Sequence, residues 1–387
     1  MGTKETQNNA SHDLSPGSQR PSFDCAAPAP DPAPMTLVAH SDLPTFELLS
    51  RKGHELLSLE RARSQDIREL HIGFLNMMPD SALQATERQF IRLVGSCNRI
   101  AQCFVYPFSL PELERSDQTR DYIEKHYSTF DDLRAHGLDA LIITGANVAN
   151  PDLSGEAFWT PLLEVVRWAD ENVASILCSC LATHALLHHA HAIERQPLPA
   201  KRWGVYPHRL ADVEHPLVRE INTRFDVPHS RYNDISREQL EAAGLQVLAE
   251  SDTGGVHLAV SPDRARIVYF QGHPEYDRSS LLKEYKREAR RFLADERPDR
   301  PPYPENYIPQ AAEALIDAAW RKPEALETVL DEQVEPLLEN TWGDTGKAVF
   351  NNWLGMVYQL TNLDRKHQYM PGVDRDDPLG LRSSSGE

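Results

Sequence analysis

Two cysteines stand one residue apart in the stretch SILCSCLATHALL, residues 175–187, where an apolar run gives way to a helical pattern. Cys180 falls where a buried strand is predicted to end and a helix to begin. A thiol at such a sharp turn is exposed, and the helix N-terminus favours a thiolate and offers backbone N–H groups to an oxyanion. Cys180 is therefore the candidate nucleophile. Cys178, earlier in the same strand, is expected to be a small buried packing residue.

Two residues that could assist this nucleophile are predicted in VYFQGHPEYD, residues 268–277, where another strand runs into His273 and Glu275. A cysteine nucleophile needs a base, and the base needs an acid that orients it. The carboxyl ends of parallel strands meet at one edge of an α/β sheet, so we expect Cys180, His273 and Glu275 to form a triad there. The alternative is a turn histidine before a proline, followed by a solvated loop carboxylate.

Short apolar runs that alternate with helical patterns predict the elements that position these residues. This alternation is typical of βαβ units, so the predicted fold class is α/β, with a mainly parallel sheet flanked by helices. Strands are predicted at residues 70–78, 101–108, 138–146, 173–179, 244–251, 254–261 and 265–275. Helices are predicted at residues 82–95, 158–172, 181–193 and 279–296.

The two ends of the 387-residue chain differ in composition from its middle. Residues 1–40 are rich in Pro, Ala and Ser and hold few large apolar side chains, which predicts a disordered N-terminal extension. Residues 367–387 are interpreted in the same way, as a flexible C-terminal tail. We expect residues 41–366 to form one catalytic domain.

Charge and cysteine content indicate a soluble cytoplasmic protein. The chain has 58 acidic and 40 basic residues, whereas a nucleic-acid-binding protein needs clustered Lys and Arg. No apolar run is long enough to span a membrane, and no export signal opens the sequence. Five irregularly spaced cysteines suit reduced thiols better than disulfides, so Cys25, Cys97 and Cys103 are expected to be unreactive.

No pattern for a metal or a nucleotide cofactor is complete. His184 and His188 are spaced so that they could share a metal on one helix face, but no carboxylate or cysteine completes a ligand set. The segment TGANVANPDLSG has too few glycines for a dinucleotide site, and no Gly-Lys-Ser/Thr loop occurs. We therefore expect neither a metal nor a bound cofactor.

Several segments, in order, resemble the homoserine O-succinyltransferase and O-acetyltransferase family, which has the class I glutamine amidotransferase-like (flavodoxin-like) fold. The resemblance spans about residues 40–366. It implies an acyltransferase that uses an acyl-CoA and L-homoserine in methionine biosynthesis, and a homodimer is possible. The matching segments are LNMMPDSALQATERQFIRL, LDALIITGANVA, FWTPLLEVVRWA, ILCSCLATHALL, KRWGVYPH, VPHSRYND, GHPEYD, EYKREA and KAVFNNWLGMVYQLT.

The resemblance also implies roles for individual residues. Cys180 becomes the acylated nucleophile, His273 its base and Glu275 the orienting carboxylate. Arg287 matches an arginine that holds the substrate carboxylate, a role that suits a guanidinium because it can donate two parallel hydrogen bonds. Further substrate-binding positions are Lys201, Tyr206, Ser280 and Ala149. In the mechanism that follows, the oxyanion is held by backbone N–H groups of Leu181 and of Gly145 or Ala146.

The acyl donor is inferred from the position of Ala149. In this family a glutamate after the TGA loop accompanies acetyl-CoA use, whereas a small residue leaves space for a succinyl chain, so succinyl-CoA is the expected donor. The loop MPDSALQATE departs from the family pattern, because Asp80 and Ser81 stand where lysines are usual and the loop is about two residues longer. Leu181 also replaces an aromatic residue.

Other functions remain open at this point. Acetyl-CoA could be the donor or serine the acceptor. A glutamine amidotransferase or cysteine hydrolase would share the fold and the triad, and a non-catalytic binding module would make the three residues a coincidence.

Overall fold

A computed structural model describes residues 37–97, 101–148 and 150–382. Its strands are β1 (Val38–Ala39), β2 (Leu57–Ser58), β3 (Glu69–Leu75), β4 (Gln102–Phe108), β5 (Ala140–Ile143), β6 (Ser175–Ser179), β7 (Gln196–Leu210), β8 (Arg224–Asp234), β9 (Gln246–Ser251), β10 (Gly255–Val260) and β11 (Ile267–Phe270). Its α-helices are α1 (Pro44–Arg51), α2 (Leu59–Arg63), α3 (Asp80–Gly95), α4 (Asp117–His126), α5 (Phe130–His136), α6 (Trp159–Asn172), α7 (Leu181–His191), α8 (Arg237–Ala242), α9 (Ser280–Leu293), α10 (Gln310–Ala319), α11 (Leu326–Val329) and α12 (Gly343–Leu360).

Within the described ranges, nine strands form one mixed sheet in the order β4-β3-β5-β6-β11-β10-β9-β7-β8. The pairs from β4 to β11 are parallel, and those from β11 to β8 are antiparallel. The predicted α/β class is confirmed. The antiparallel half is larger than the sequence predicts, because β7 and β8 were not among the expected strands.

Strand β7 escapes prediction because its sequence, QPLPAKRWGVYPHRL, carries prolines and charges that hide any alternation of apolar residues. Proline removes a ladder hydrogen bond and is tolerated mainly near sheet edges. The register between β7 and β8 is interrupted between Pro197 and Arg202, and β7 meets β9 only at Arg209 and Leu210. These two strands therefore form a ribbon that extends beyond the sheet.

The two faces of the sheet are covered by separate apolar clusters. Phe74 and Phe270 point to the face covered by α3 and α12, where they pack with Phe90 and Phe350. Cys178 points to the opposite face, covered by α6 and α7, and is fully buried there. Burial raises the pKa of the Cys178 thiol well above its usual value.

Two more cysteines are buried in the first cluster, Cys97 and Cys103. Burial raises the pKa of Cys97 well above its usual value and that of Cys103 to about 12. Both thiols are therefore held in the neutral form, as expected for packing residues.

The chain is packed beyond both ends of the predicted catalytic domain. Leu37 is buried, and β1 pairs with β2, so packing begins before residue 41. After residue 366, where the sequence predicts a flexible tail, the Gln368 side chain donates to Asp170 O at 2.7 Å. Leu379 packs against the core, because this polar segment still supplies apolar side chains. Most of the predicted N-terminal extension, including Cys25, lies outside the described residues, as do residues 383–387.

In the described residues, no helix combines the length and apolar character needed to cross a lipid bilayer.

Candidate active site

Cys180 forms the corner between β6 and α7. Its backbone has φ 54° and ψ −111°, a conformation that residues other than glycine rarely adopt. Its N–H donates to Phe270 O of the neighbouring strand β11 at 2.8 Å, which fixes the turn against the sheet. Cys180 is partly exposed, whereas Cys178 is fully buried. The structure thus places the predicted nucleophile, and not its neighbour, where a substrate can reach it.

His273 and Glu275 follow β11 and lie next to this corner. His273 Nδ1 is 2.7 Å from Glu275 Oε1, and the two residues are only 8% and 3% exposed. The backbone N–H of His273 donates to Pro228 O of β8 at 2.8 Å. Because Nδ1 is engaged by Glu275, the other ring nitrogen is the one available to the Cys180 side chain, which is among the groups that raise the pKa of His273.

The charges around His273 favour its protonated form. Burial lowers the pKa of His273, but the Glu275 carboxylate, a thiolate at Cys180 and hydrogen bonds to both raise it to about 10. An imidazolium at His273 therefore favours negative charge on the neighbouring sulfur. The three residues predicted from two separate segments are together in one site.

Gly145 stands beside the nucleophile at the end of β5. A methyl group on Gly145 would lie 3.6 Å from Cys180 Cβ and 3.6 Å from the backbone N of Leu181. The backbone of Gly145 and the N–H of Leu181 thus border one small space next to the thiol, as an oxyanion site requires. Ala146 follows and packs against the cluster that contains Cys178. Ala149 lies outside the described residues.

Helix α9 brings a buried carboxylate, Glu284, to the same region. Its Oε2 accepts hydrogen bonds from Lys201 Nζ at 2.9 Å and from Ser230 Oγ at 2.6 Å, and its Oε1 accepts one from Tyr276 OH at 2.8 Å. Burial raises the pKa of Glu284, but Lys201 and the hydrogen bonds together lower it by more than burial raises it, so the net change is downward. Glu284 was not predicted. Its signal in the sequence is its position three residues before Arg287, on the same helix face.

Arg287 and Lys201 differ in exposure and in the ion pairs that they form. The Arg287 side chain is 52% exposed, and its Nε lies 3.5 Å from Glu288 Oε1. Lys201 is largely buried, and its Nζ lies 4.5 Å from the centre of the Trp203 ring. Arg287 therefore retains capacity for an anionic ligand, while Lys201 already neutralises Glu284.

Tyr206 and Ser280 lie further from the triad's contacts. Tyr206 is buried with its ring edge-on to His229, and burial together with the nearby Glu305 raises the pKa of Tyr206 to about 12. Ser280 Oγ accepts a hydrogen bond from Gln89 Nε2 at 2.9 Å, which joins α9 to α3. Among the described residues, the hydrogen bonds and ring contacts of these two do not include Cys180.

Arg231 and His229 in VPHSRYND have structural partners. Arg231 Nη2 donates to Asp234 Oδ1 at 2.8 Å and to Gly254 O at 2.7 Å, and Nη1 donates to His229 Nδ1. A methyl group on Gly272 would lie 2.7 Å from His229 Cε1. His229 thus packs directly behind the backbone that leads into His273.

The atypical loop after β3 receives its positive charge from another segment. Asp80 Oδ2 accepts a hydrogen bond from the Ser116 N–H at 2.9 Å, and Asp80 Oδ1 lies 3.5 Å from Arg115 Nη1. Arg115, whose side chain is 5% exposed, also donates to Met78 O. Met78 Sδ would lie 3.8 Å from a methyl group on Gly145. The cation that the loop's own sequence lacks is therefore supplied from beyond β4.

The histidines of α7 are engaged by other groups. His184 Nε2 is 3.0 Å from Gln271 Oε1, and burial lowers the pKa of His184 to about 4. His188 Nδ1 is 3.2 Å from Glu194 Oε1. Within residues 37–97, 101–148 and 150–382, no group of three or more His, Cys, Asp or Glu side chains is arranged to hold a metal ion.

Two solved structures match this chain at low sequence identity and with low TM-scores. One is a glutamine amidotransferase from Thermotoga maritima, with 10% identity, a TM-score of 0.38 and coverage of 74% of this chain and 97% of that one. The other is a glutamine amidotransferase from Methylobacillus flagellatus, with 14% identity, a TM-score of 0.38 and coverage of 75% and 95%.

Sequence relatives are much closer. Proteins named homoserine O-succinyltransferase from Methylobacter tundripaludum and Methylococcus capsulatus are each 57% identical over 354 residues, which is 90% of this chain and 100% of theirs. The one from Allochromatium vinosum is 56% identical over 357 residues, 90% of this chain and 99% of its own. The family model for homoserine O-succinyltransferase matches residues 36–363. The resemblance inferred from the sequence is thereby confirmed, and the chain belongs to the homoserine O-succinyltransferase family.

Proposed function

We propose that this protein transfers a succinyl group from succinyl-CoA to the γ-hydroxyl of L-homoserine, through an acyl-enzyme on Cys180, in methionine biosynthesis. The observation that carries the proposal is the meeting of Cys180, His273 and Glu275 at one sheet edge, beside the space between Gly145 and Leu181. The names of the close relatives support the choice of substrates. The chemistry needs no cofactor, because side chains and backbone N–H groups supply every role.

In the first half-reaction the Cys180 thiolate attacks the thioester carbon of succinyl-CoA. The N–H groups near Gly145 and Leu181 stabilise the oxyanion of the tetrahedral intermediate. When the intermediate collapses, the bond to CoA breaks and the His273 imidazolium gives its proton to the departing thiolate. This step leaves a succinyl thioester on Cys180 and a neutral imidazole.

In the second half-reaction the neutral His273 takes the proton of the homoserine hydroxyl as its oxygen attacks the acyl carbon. The bond to Cys180 breaks, O-succinylhomoserine leaves, and the thiolate and imidazolium are restored. The scheme is a double displacement, so His273 acts first as an acid and then as a base. Glu275 holds its ring in place during both steps.

The acceptor carries two opposite charges that α9 can match. Arg287, half-exposed and paired only with its neighbour Glu288 at 3.5 Å among the described residues, is suited to the α-carboxylate. Glu284 is ionised, buried and hydrogen-bonded to Tyr276, and it is suited to the α-ammonium group. Serine has the same two groups on a shorter side chain, and the names of the close relatives favour homoserine.

The choice of donor depends on the loop that includes Ala149. A glutamate there would repel the succinyl carboxylate and fill its volume, whereas alanine does neither. We expect a higher kcat/KM for succinyl-CoA than for acetyl-CoA, and we expect Ala149→Glu to reverse that preference. A native enzyme that strongly prefers acetyl-CoA would contradict the assignment of the donor and leave the triad unaffected.

One experiment tests the reaction itself. The protein is incubated with succinyl-CoA, acetyl-CoA or glutamine, with and without homoserine, while free CoA and the intact mass are measured. We expect CoA release and a succinyl adduct without homoserine, and loss of that adduct when homoserine is added. Cys180→Ala should abolish both, and Cys178→Ala is the matched control that should retain them. Ammonia release from glutamine without CoA turnover would instead indicate an amidotransferase.

The single catalytic domain, the homodimer and the cytoplasmic location inferred from the sequence stay predictions.

A further inference from the structure

The ring of Tyr276 lies flat against the imidazole of His273. The ring centres are 4.3 Å apart and the planes differ by 18°. The stack is held by the backbone, because Tyr276 N–H donates to His273 O at 3.2 Å and Trp342 Nε1 donates to Tyr276 O at 2.9 Å. This tyrosine therefore has little freedom to leave the face of the imidazole.

The other end of Tyr276 reaches the acceptor side of the site. Its hydroxyl donates to Glu284 Oε1 at 2.8 Å, and Glu284 is also bound by Lys201 and Ser230. One rigid side chain thus contacts both the catalytic base and the carboxylate suited to the homoserine ammonium. The mechanism described above uses neither contact.

We propose that Tyr276 is a positioning residue that couples the acceptor pocket to the base: its ring stabilises the His273 imidazolium, and its hydroxyl orients Glu284. The second half of this proposal rests on the proposed function, because it requires an acceptor with an ammonium group. The first half is independent of the substrates.

The physical basis is the attraction between a cation and the face of an aromatic ring. A phenol that donates its proton to a carboxylate has a more electron-rich ring than a free phenol, so the Glu284 contact strengthens the attraction. When homoserine draws Glu284 toward its ammonium group, the hydrogen bond and the stack respond together. The stabilisation of the His273 imidazolium therefore depends on whether the acceptor site is occupied, and the side chain of Tyr276 connects the two.

Other charged and titratable groups also surround His273. Cys180 approaches from the start of α7, and Glu275 from the same loop. His229 of β8 and His257 of β10 lie behind His273, and burial lowers the pKa of both well below the usual value, so they remain neutral. Arg231 lies beyond His229, and Arg92 of α3 donates to Glu275 O at 3.1 Å. None of these groups is altered in the variants below.

The first test follows alkylation of Cys180 by iodoacetamide against pH, read by peptide mass, in native protein and in Tyr276→Phe and Tyr276→Leu. The phenylalanine keeps the stack and loses only the hydrogen bond to Glu284, so its profile should lie closer to the native one than to that of the leucine variant. The leucine removes the stack, so the imidazolium is less stable and stabilises a thiolate at Cys180 less. The acid inflection of the alkylation rate should therefore move up by about half a pH unit or more. Tyr276→Met serves as a second aliphatic variant if the leucine protein does not fold.

The second test separates the two half-reactions of acyl transfer. Tyr276→Phe should release CoA from succinyl-CoA at a near-native rate, but its KM for homoserine should rise about tenfold because Glu284 loses a donor. Tyr285→Phe is the matched control, since it also removes a hydrogen-bonded tyrosine hydroxyl. The Tyr285 hydroxyl, on α9, accepts a hydrogen bond from Trp320 Nε1 at 3.1 Å. This control variant should change thermal stability without changing either readout.

The outcomes are separable. Identical alkylation profiles for the native and both aliphatic proteins would overturn the coupling of Tyr276 to the base. An unchanged KM for homoserine in Tyr276→Phe would overturn its role toward Glu284. A shifted alkylation profile in a protein whose native form does not use homoserine would support the role at His273 and contradict the proposed acceptor.

Discussion

Replacement of Glu275 by glutamine tests how the site holds the charge of its base. Glu275 Oε1 is 2.7 Å from His273 Nδ1, and the Glu275 carboxylate makes the largest contribution that raises the pKa of that histidine against the effect of burial. Glutamine keeps the size of the side chain and an oxygen that accepts from Nδ1–H, but it removes the negative charge. The substitution therefore isolates electrostatics from geometry.

The expected magnitude follows from the pKa of His273. A rise from the usual 6.5 to about 10 corresponds to roughly 5 kcal/mol in favour of the imidazolium. If the Glu275 charge supplies half of this free energy, its loss changes the ratio of imidazolium to imidazole roughly 60-fold. We expect Glu275→Gln to lower acyl transfer about 100-fold or more, and to move the alkaline limb of CoA release from near pH 10 into the range below pH 9.

The assay is the rate of CoA release from succinyl-CoA between about pH 6 and pH 10.5 in native protein, Glu275→Gln and Glu284→Gln. The last variant removes another buried carboxylate of the site, which reaches His273 only through Tyr276, so it should move the alkaline limb less than Glu275→Gln does. Because the folded pKa of His273 is raised, its interaction stabilises the fold fully below about pH 6.5 and is lost as the pH rises through about 10. Glu275→Gln should therefore lose less stability than native protein over that interval. An alkaline limb that does not move would refute this account of the base.

Three further outcomes are expected. Cys180→Ser should abolish the acyl adduct, whereas Cys178→Ala should keep it and lower the free energy of unfolding by about 1 kcal/mol or more, in a thermal or urea unfolding experiment; the reverse pattern would exchange the two assignments. Arg287→Lys keeps the charge but loses the paired hydrogen bonds, so transfer to homoserine should fall while CoA release falls less, and equal losses would place Arg287 at the donor. Gly145→Ala would put a methyl group 3.6 Å from Leu181 N, so the acylation rate should fall by about 100-fold with little change in the unfolding temperature; a native rate would remove Gly145 from the oxyanion site.

The parallel half of the fold could be predicted because its elements have strong apolar patterns. The helix expected at residues 181–193 is observed as Leu181–His191, and the one expected at 82–95 as Asp80–Gly95. The strand–helix junction at Cys180 follows from the first of these. Residues that end neighbouring parallel strands must meet, so the proximity of Cys180 to His273 and Glu275 could be foreseen from two segments far apart in sequence.

The remaining parts of the site depend on contacts that leave no local pattern. Arg115 reaches the loop after β3 from beyond β4, and nothing in the neighbouring sequence indicates that its guanidinium is buried there. Glu284 is surrounded by Lys201 and Ser230, which come from the ribbon of β7 and β8. That ribbon was itself hidden by its prolines and charges. Long-range polar contacts of this kind require the structure.

The pairing of β6 with β11 sets a limit on how this site can change. Ser179 and Phe270 are register partners, and the nucleophile and the base follow within one and three residues of them. The separation of Cys180 and His273 is therefore governed by the spacing of adjacent strands, about 4.8 Å. A one-residue slip would turn one strand's side chains to the opposite face and separate the pair. The surrounding loops and α9 carry no such constraint, so donor and acceptor preference can diverge while the spacing of the reacting groups stays constant.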